Sequence, residues 1–253
     1  MPKLERNGVE LYYEVHGSGP TLLLTHGYSS SSLMWKGQVE ALSKSHQLVI
    51  WDMRGHGRSD YPEDQAAYSE DVTVADMAGL LDAVGAETAI VGGLSLGGYM
   101  SLAFHARHPQ RVRALLIIDT GPGYRNDQAR DGWNQNAIRT AERWERDGLN
   151  RSGPTSPEAG LSQHRSADGL AKAARGMLTQ RDATVINSLP TIAVPSLVVV
   201  GANDTPFLTA SDYMAAKIPG AVKVVIPDAG HAANIDQPAA FNTAVAAFLA
   251  GLR

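Results

Sequence analysis

The 253-residue sequence contains no cysteine, which excludes disulfide bridges, thiolate-bound metals and a cysteine nucleophile together. Charged residues make up only 19%, the formal net charge is −4, and no run of lysine or arginine stands out. A nucleic-acid binder needs a concentrated basic patch, so no nucleic-acid partner is expected. Nowhere does the chain approach the roughly 18 consecutive apolar residues of a membrane-spanning helix. The opening Met1-Pro2-Lys3-Leu4-Glu5-Arg6 has no apolar segment of the signal-peptide kind. The expectation is a soluble, cytoplasmic protein with no membrane partner. What the chain does have is core material: at 43% hydrophobic residues it can bury a large α/β domain and does not read as disordered.

Short apolar runs recur at 9–15, 21–25, 47–51, 88–91, 113–118, 196–200 and 222–226. Asn7-Gly8, just ahead of the first, is a strong two-residue hairpin signal. Most of the runs are continuously apolar rather than alternating, as suits strands covered on both faces of a parallel sheet. Helical spacing falls between them at 72–84, with Gly85 placed as a C-terminal cap, at 96–107, and at 241–252. This alternation predicts a doubly wound, mostly parallel α/β sheet. Residues 122–190 break the rhythm. They contain no strand-like run, carry ten Lys/Arg against eight Asp/Glu, and hold Trp133 and Trp144. Helical patterns lie at 135–146 and 169–178. The expected organisation is a core of residues 1–121 and 191–253, with residues 122–190 as a helical lid inserted between two late strands. The alternative is a plain string of crossover helices.

Gly93-Leu94-Ser95-Leu96-Gly97 directly follows one predicted strand and opens a predicted helix. The pattern alone is weak, because glycine and serine are common. In that context it reads as a nucleophile elbow, where glycines relieve crowding around a strained turn that presents the serine hydroxyl. A serine hydroxyl is a poor nucleophile without a base. Of eight histidines, only His231 lies in the last strand-to-helix loop and gives the order serine, acid, histidine. Two acids sit between them at strand carboxyl ends, where sites form in such sheets: Asp204 and Asp119. Asp204 is preferred, being one αβ unit before His231. Backbone N–H donors for an oxyanion are expected from Leu96, just after the serine, and from Tyr28 in the loop after 21–25.

His26-Gly27-Tyr28 with Trp35, Asp52-Met53-Arg54-Gly55-His56-Gly57-Arg58-Ser59, Gly93-Leu94-Ser95-Leu96-Gly97-Gly98, Gly201-Ala202-Asn203-Asp204 and Gly230-His231 occur in one order across nearly the whole chain. In this set the sequence resembles the α/β-hydrolase superfamily, in particular its small, lidded esterase and lactonase members. The resemblance implies Ser95, Asp204 and His231 as a catalytic triad, Tyr28 and Leu96 as oxyanion donors, and Asp52 to Ser59 as a structural turn. Asn234-Ile235-Asp236-Gln237-Pro238 after the histidine is similar to enol-lactonases of aromatic catabolism. Serine at 95 departs from the dehalogenases and epoxide hydrolases of the same fold, which use aspartate there. Ala232 departs from the carbon–carbon bond hydrolases, which carry an aromatic residue after the histidine. The implied activity is hydrolysis of a small-molecule carboxylic ester or lactone through an acyl-enzyme, with no metal and no organic cofactor. Trp133, Trp144, Tyr124 and Met177 are candidates for an apolar acyl pocket. The rival readings are a non-hydrolytic enzyme on the same scaffold and a ligand receptor that keeps a sluggish triad.

Overall fold

A computed structural model describes residues 3–149 and 156–252, so residues 150–155 of the expected lid lie outside the described residues. The strands are β1 (Lys3–Arg6), β2 (Val9–His16), β3 (Thr21–Thr25), β4 (Gln47–Trp51), β5 (Ala89–Leu94), β6 (Val112–Ile118), β7 (Ser196–Gly201) and β8 (Val222–Ile226). Helices α1 (Lys36–Leu42), α2 (Glu70–Ala83) and α3 (Leu96–Arg107) lie between the early strands. Helices α4 (Asp127–Asp147), α5 (Pro157–Gly160), α6 (Ala167–Ala173) and α7 (Thr184–Ser188) follow β6. After β7 come α8 (Thr205–Lys217), α9 (Ala233–Asp236) and α10 (Pro238–Ala250).

The eight strands form one sheet in the order β1-β2-β4-β3-β5-β6-β7-β8. Strands β1 and β2 pair antiparallel through the Asn7-Gly8 turn, where both residues take positive φ, and β2 runs antiparallel to β4. All other pairings are parallel. Every residue of β3, β5 and β7 is buried, which is the physical reason for their uninterrupted apolar sequence. Alternate residues feed two cores. Leu23, Val49, Val91, Leu115 and Val198 pack with the apolar faces of α2 and α3 on one side. Leu22, Leu24, Leu48, Ile50, Ile90 and Leu197 pack with Leu42 of α1 and with Phe241, Val245 and Leu249 of α10 on the other. Each such aliphatic side chain contributes on the order of 1.5–3 kcal/mol.

Among its described residues, the segment from β6 to β7 is helical and holds no strand. It departs from the sequence expectation in detail. Helix α4 starts at Asp127, capped by the Asn126 side chain on Ala129 N–H, and so runs eight residues further toward the N-terminus than the predicted 135–146. The predicted helix at 169–178 is α6 followed by a π-helical turn, Ala174–Leu178. Gly176 of that turn lies against the backbone of Tyr68; a Cβ there would stand 1.8 Å from the Tyr68 carbonyl oxygen.

Candidate active site

Ser95 sits between β5 and α3 with φ 56° and ψ −117°, a left-handed conformation that is costly for a residue with a side chain. The strain is held by hydrogen bonds: Ser95 N–H donates to Ile118 O (2.9 Å), and the Thr120 hydroxyl donates to Ser95 O (2.7 Å). The flanking glycines are required by space. A Cβ on Gly97 would lie 2.1 Å from Thr25 O, and one on Gly93 would lie 2.5 Å from the Gly97 carbonyl carbon. Without those side chains, the turn can press against β3 and lift Ser95 to the carboxyl edge of the sheet.

His231 and Asp204 come from neighbouring loops, after β8 and β7. Their side chains meet at 2.8 Å, His231 Nδ1 to Asp204 Oδ2. Because an ionised carboxylate only accepts, Nδ1 carries the proton and Nε2 is left as the basic nitrogen. Burial disfavours the charged ring, but the hydrogen bond and charge of Asp204, with smaller contributions from Asp119 and Glu158, raise the His231 pKa above its ordinary value. Phe207 stacks on the imidazole at 5.0 Å between ring centroids. The two loops approach closely at Gly201, where a Cβ would lie 2.1 Å from Gly230 O. Asp119, the other candidate acid, directly follows β6 with φ 43° and is fully buried. Its Oδ1 accepts from Gly201 N–H at 2.8 Å, while Oδ2 has no hydrogen-bond partner among the described residues. Burial pushes its carboxyl up to about 8. The structure therefore pairs His231 with Asp204 and puts Asp119 behind the pair.

Tyr28 lies in the loop after β3, which runs beside the elbow: a Cβ on Gly27 would be 3.5 Å from Ser95 Cβ. Leu96 follows Ser95 at the first position of α3. Three histidines tie the Tyr28 loop to its surroundings, and their partners fix each tautomer. His26 Nδ1–H donates to Gly27 O and Nε2 accepts from Met53 N–H. His56 accepts from Ser29 N–H and donates to Arg54 O. His164, from the segment between β6 and β7, accepts from Gly57 N–H and donates to Ser29 O. Burial lowers the pKa of all three, that of His26 to about 4, so each serves as a neutral bridge with one donor and one acceptor. The expected structural turn is equally well bonded. Asp52 accepts from Ser32 N–H (2.6 Å) and Arg58 N–H (2.8 Å), and buried Arg54 pairs with Asp76.

A cavity of about 130 Å³ opens at Ser95. Of the residues expected to line a pocket, Tyr124, Trp133 and Met177 do so, and Leu96, expected as an oxyanion donor, lines it as well. Trp144 does not: it packs on Ala141, Ala171 and Ala174, filling the contact between α4 and α6. Sequence reasoning passed over Gln180 and Phe207, which also line the cavity. Neither stands in a motif. The only hint for Phe207 is its place in the first turn after Asp204, and Gln180 carries no local signal at all. No side chain that lines the cavity is charged among the described residues. The arrangement offers a strained serine, an oriented imidazole and a largely apolar recess, a combination suited to acyl transfer.

A family model described as the alpha/beta hydrolase fold matches residues 20–173, from β3 through the elbow to the end of α6. The 3-oxoadipate enol-lactonase 1 of Acinetobacter baylyi is 27% identical over 253 residues, covering 93% of this chain and 91% of that one. A thermophilic esterase from Thermogutta terrifontis superposes with a TM-score of 0.87 at 29% identity, covering 100% of this chain and 99% of that one. The enol-lactonase from Burkholderia xenovorans LB400 gives a TM-score of 0.80 at 27% identity, with 98% and 100% covered. A shorter match, to the RutD protein of Azorhizobium caulinodans, is 38% identical over 119 residues and spans 44% of that protein. With the family model covering more than half of the chain, and both strand order and elbow in agreement with it, the protein belongs to the alpha/beta hydrolase fold family.

Proposed function

We propose that the protein is a serine hydrolase that cleaves carboxylic esters or lactones carrying a small, uncharged acyl group. The observation that carries this reading is Ser95 lining a largely apolar cavity, on a carboxyl edge of the sheet that also bears the His231–Asp204 pair. In the first step Ser95 Oγ attacks the substrate carbonyl and passes its proton to Nε2 of His231. The developing oxyanion is held by the N–H groups of Tyr28 and Leu96, and the imidazolium by Asp204. Collapse expels the alcohol oxygen, which takes the proton from His231. Water then repeats the sequence on the acyl-enzyme and releases the acid. For a lactone the expelled oxygen stays tethered to the acyl chain.

The substrate limits follow from the lining. The cavity volume is close to the ~150 Å³ that holds benzene in an engineered apolar cavity. With no cation on its described lining, a carboxylate in the acyl group would be desolvated without a partner. The similarity to proteins named as esterase and enol-lactonase supports ester or lactone chemistry at this site. Residues 122–190 act as the lid in this reading, supplying Trp133, Met177, Leu178 and Gln180 to the cavity. Turnover of a panel of neutral and anionic esters and lactones, with fluorophosphonate labelling, tests the proposal. The label is expected on Ser95, and Ser95→Ala should lose label and turnover, the latter by on the order of 10⁴-fold or more. Undiminished ester turnover by Ser95→Ala would sink the covalent mechanism.

A further inference from the structure

We propose that Asp119 is a positioning residue for the His231–Asp204 pair: it retains a proton on Oδ2 and donates it to Asp204, so that the Asp204 carboxylate is fixed for His231 Nδ1. The inference rests on the Ser95–His231–Asp204 reading and adds a fourth member to it.

Geometry carries the argument. Asp119 is fully buried, and its Oδ1 is occupied by Gly201 N–H at 2.8 Å. Its Oδ2 is buried as well and has no donor among the described residues. The acidic side chain that acts on it is that of Asp204, itself only 6% exposed. Two ionised carboxylates are both acceptors and cannot bond to each other; they would repel in a dry site. One proton on Asp119 removes the repulsion, satisfies the orphaned oxygen and gives Asp204 a donor. It belongs on Asp119 because Asp204 already accepts from His231 Nδ1–H at 2.8 Å and must stay negative to stabilise the imidazolium. The left-handed backbone of Asp119 is held by its own N–H, which donates to Val199 O at 2.8 Å, and its carboxyl is held by the bond from Gly201 N–H.

The titratable groups acting on Asp119 are Asp204 from the β7–α8 loop and His231 from the β8–α9 loop. Burial places the Asp119 titration near pH 8. Above it the donor is lost, and the Asp204 carboxylate is no longer fixed for His231 Nδ1. The ester kcat/KM should therefore fall above about pH 8, by up to about tenfold per pH unit.

The test compares full pH profiles of kcat/KM for the wild type, Asp119→Asn, Asp119→Leu and Asp204→Asn on one neutral ester. An asparagine reproduces the protonated carboxyl, its oxygen accepting from Gly201 N–H and its amide donating to Asp204. Asp119→Asn should exceed Asp119→Leu by at least tenfold at pH 7 and should lack the alkaline fall. If Asp119→Leu does not fold, the profile of Asp119→Asn still decides. In addition, infrared difference spectra at pH 7 should show a protonated-carboxyl stretch in the wild type that Asp119→Asn lacks. An alkaline fall kept in Asp119→Asn, or no protonated-carboxyl band, overturns the proposal. Wild-type activity in Asp204→Asn would instead overturn the triad reading beneath it, a result distinguishable from either.

Discussion

Gly201, the last residue of β7, lies close against the histidine loop, and adding one methyl group there tests how tightly the pair is held. In Gly201→Ala the new Cβ would meet Gly230 O at 2.1 Å, Ala229 O at 2.5 Å and the Ala229 carbonyl carbon at 2.8 Å. All three are backbone atoms, so no side chain can rotate away. Relief to an ordinary contact of 3.4 Å needs roughly 1.3 Å of separation between the end of β7 and the loop after β8. That separation stretches Asn203 N–H to Ala229 O, now 2.8 Å, and carries His231 away from Asp204 across a bond of the same length. A 1 Å misplacement costs on the order of 10²-fold in rate, and overpacking costs about 1–3 kcal/mol in stability. Steady-state kinetics and thermal unfolding should therefore report a kcat loss of about 10²-fold with a melting point lowered by several degrees. A Gly201→Ala enzyme within threefold of wild-type kcat would refute the claim that this glycine sets the distance between base and acid.

Three further outcomes are expected. Since His231 must be neutral to take the Ser95 proton and its pKa is raised, kcat/KM should be lost as pH falls through a midpoint above the ordinary ~6.5; an acid-limb midpoint below that would contradict the Asp204 coupling. Trp133→Ala should shift acyl-chain preference toward longer groups because Trp133 lines the cavity, whereas Trp144→Ala should leave that preference alone and lower stability by about 1–3 kcal/mol; hydrolysis of an acyl-length series, with melting curves, separates the two. Gly132 lies within α4 with open space where its Cβ would be, so Gly132→Ala should stabilise by about 0.5–1 kcal/mol in denaturant titration, and a destabilised variant would mean that α4 packs there against something else.

Seven of the eight strands are visible in the sequence as apolar runs, and for β3 to β7 this is because strands covered on both faces write their burial directly into composition. The exception, β1, is Lys-Leu-Glu-Arg at the sheet edge, with a single apolar residue, and looks like any exposed segment. Strand β5 reads short, as 88–91, since Gly92-Gly93 resemble a break; both glycines lie within the strand, Gly92 because a Cβ would meet the Leu116 side chain at 2.6 Å. Helix α4 reads short for a different reason: its first two turns are polar, with a glycine, and only the Asn126 cap marks the start. Elbow context and chain order point to Ser95 and His231, and residue order leaves the acid open between Asp204 and Asp119. Separating those two takes a side-chain direction, which no local pattern encodes. The same holds for Trp144, whose neighbours Ala171 and Ala174 lie about thirty residues away in sequence.

The Tyr28 loop is held by partners far along the chain: Tyr28 hydroxyl to Leu170 O at a separation of 142 residues, His164 to Ser29 O at 135, and Ser30 hydroxyl to Glu158 O at 128. Contacts of such span close late, because the chain entropy of a long loop must be surrendered before they form. The sheet from β3 to β6 can assemble from nearer neighbours, whereas the Tyr28 loop acquires its shape only when the helices between β6 and β7 dock. Order of assembly thus separates scaffold from site. During refolding, backbone structure should return first and turnover afterwards, with an interval of folded but inactive protein between them.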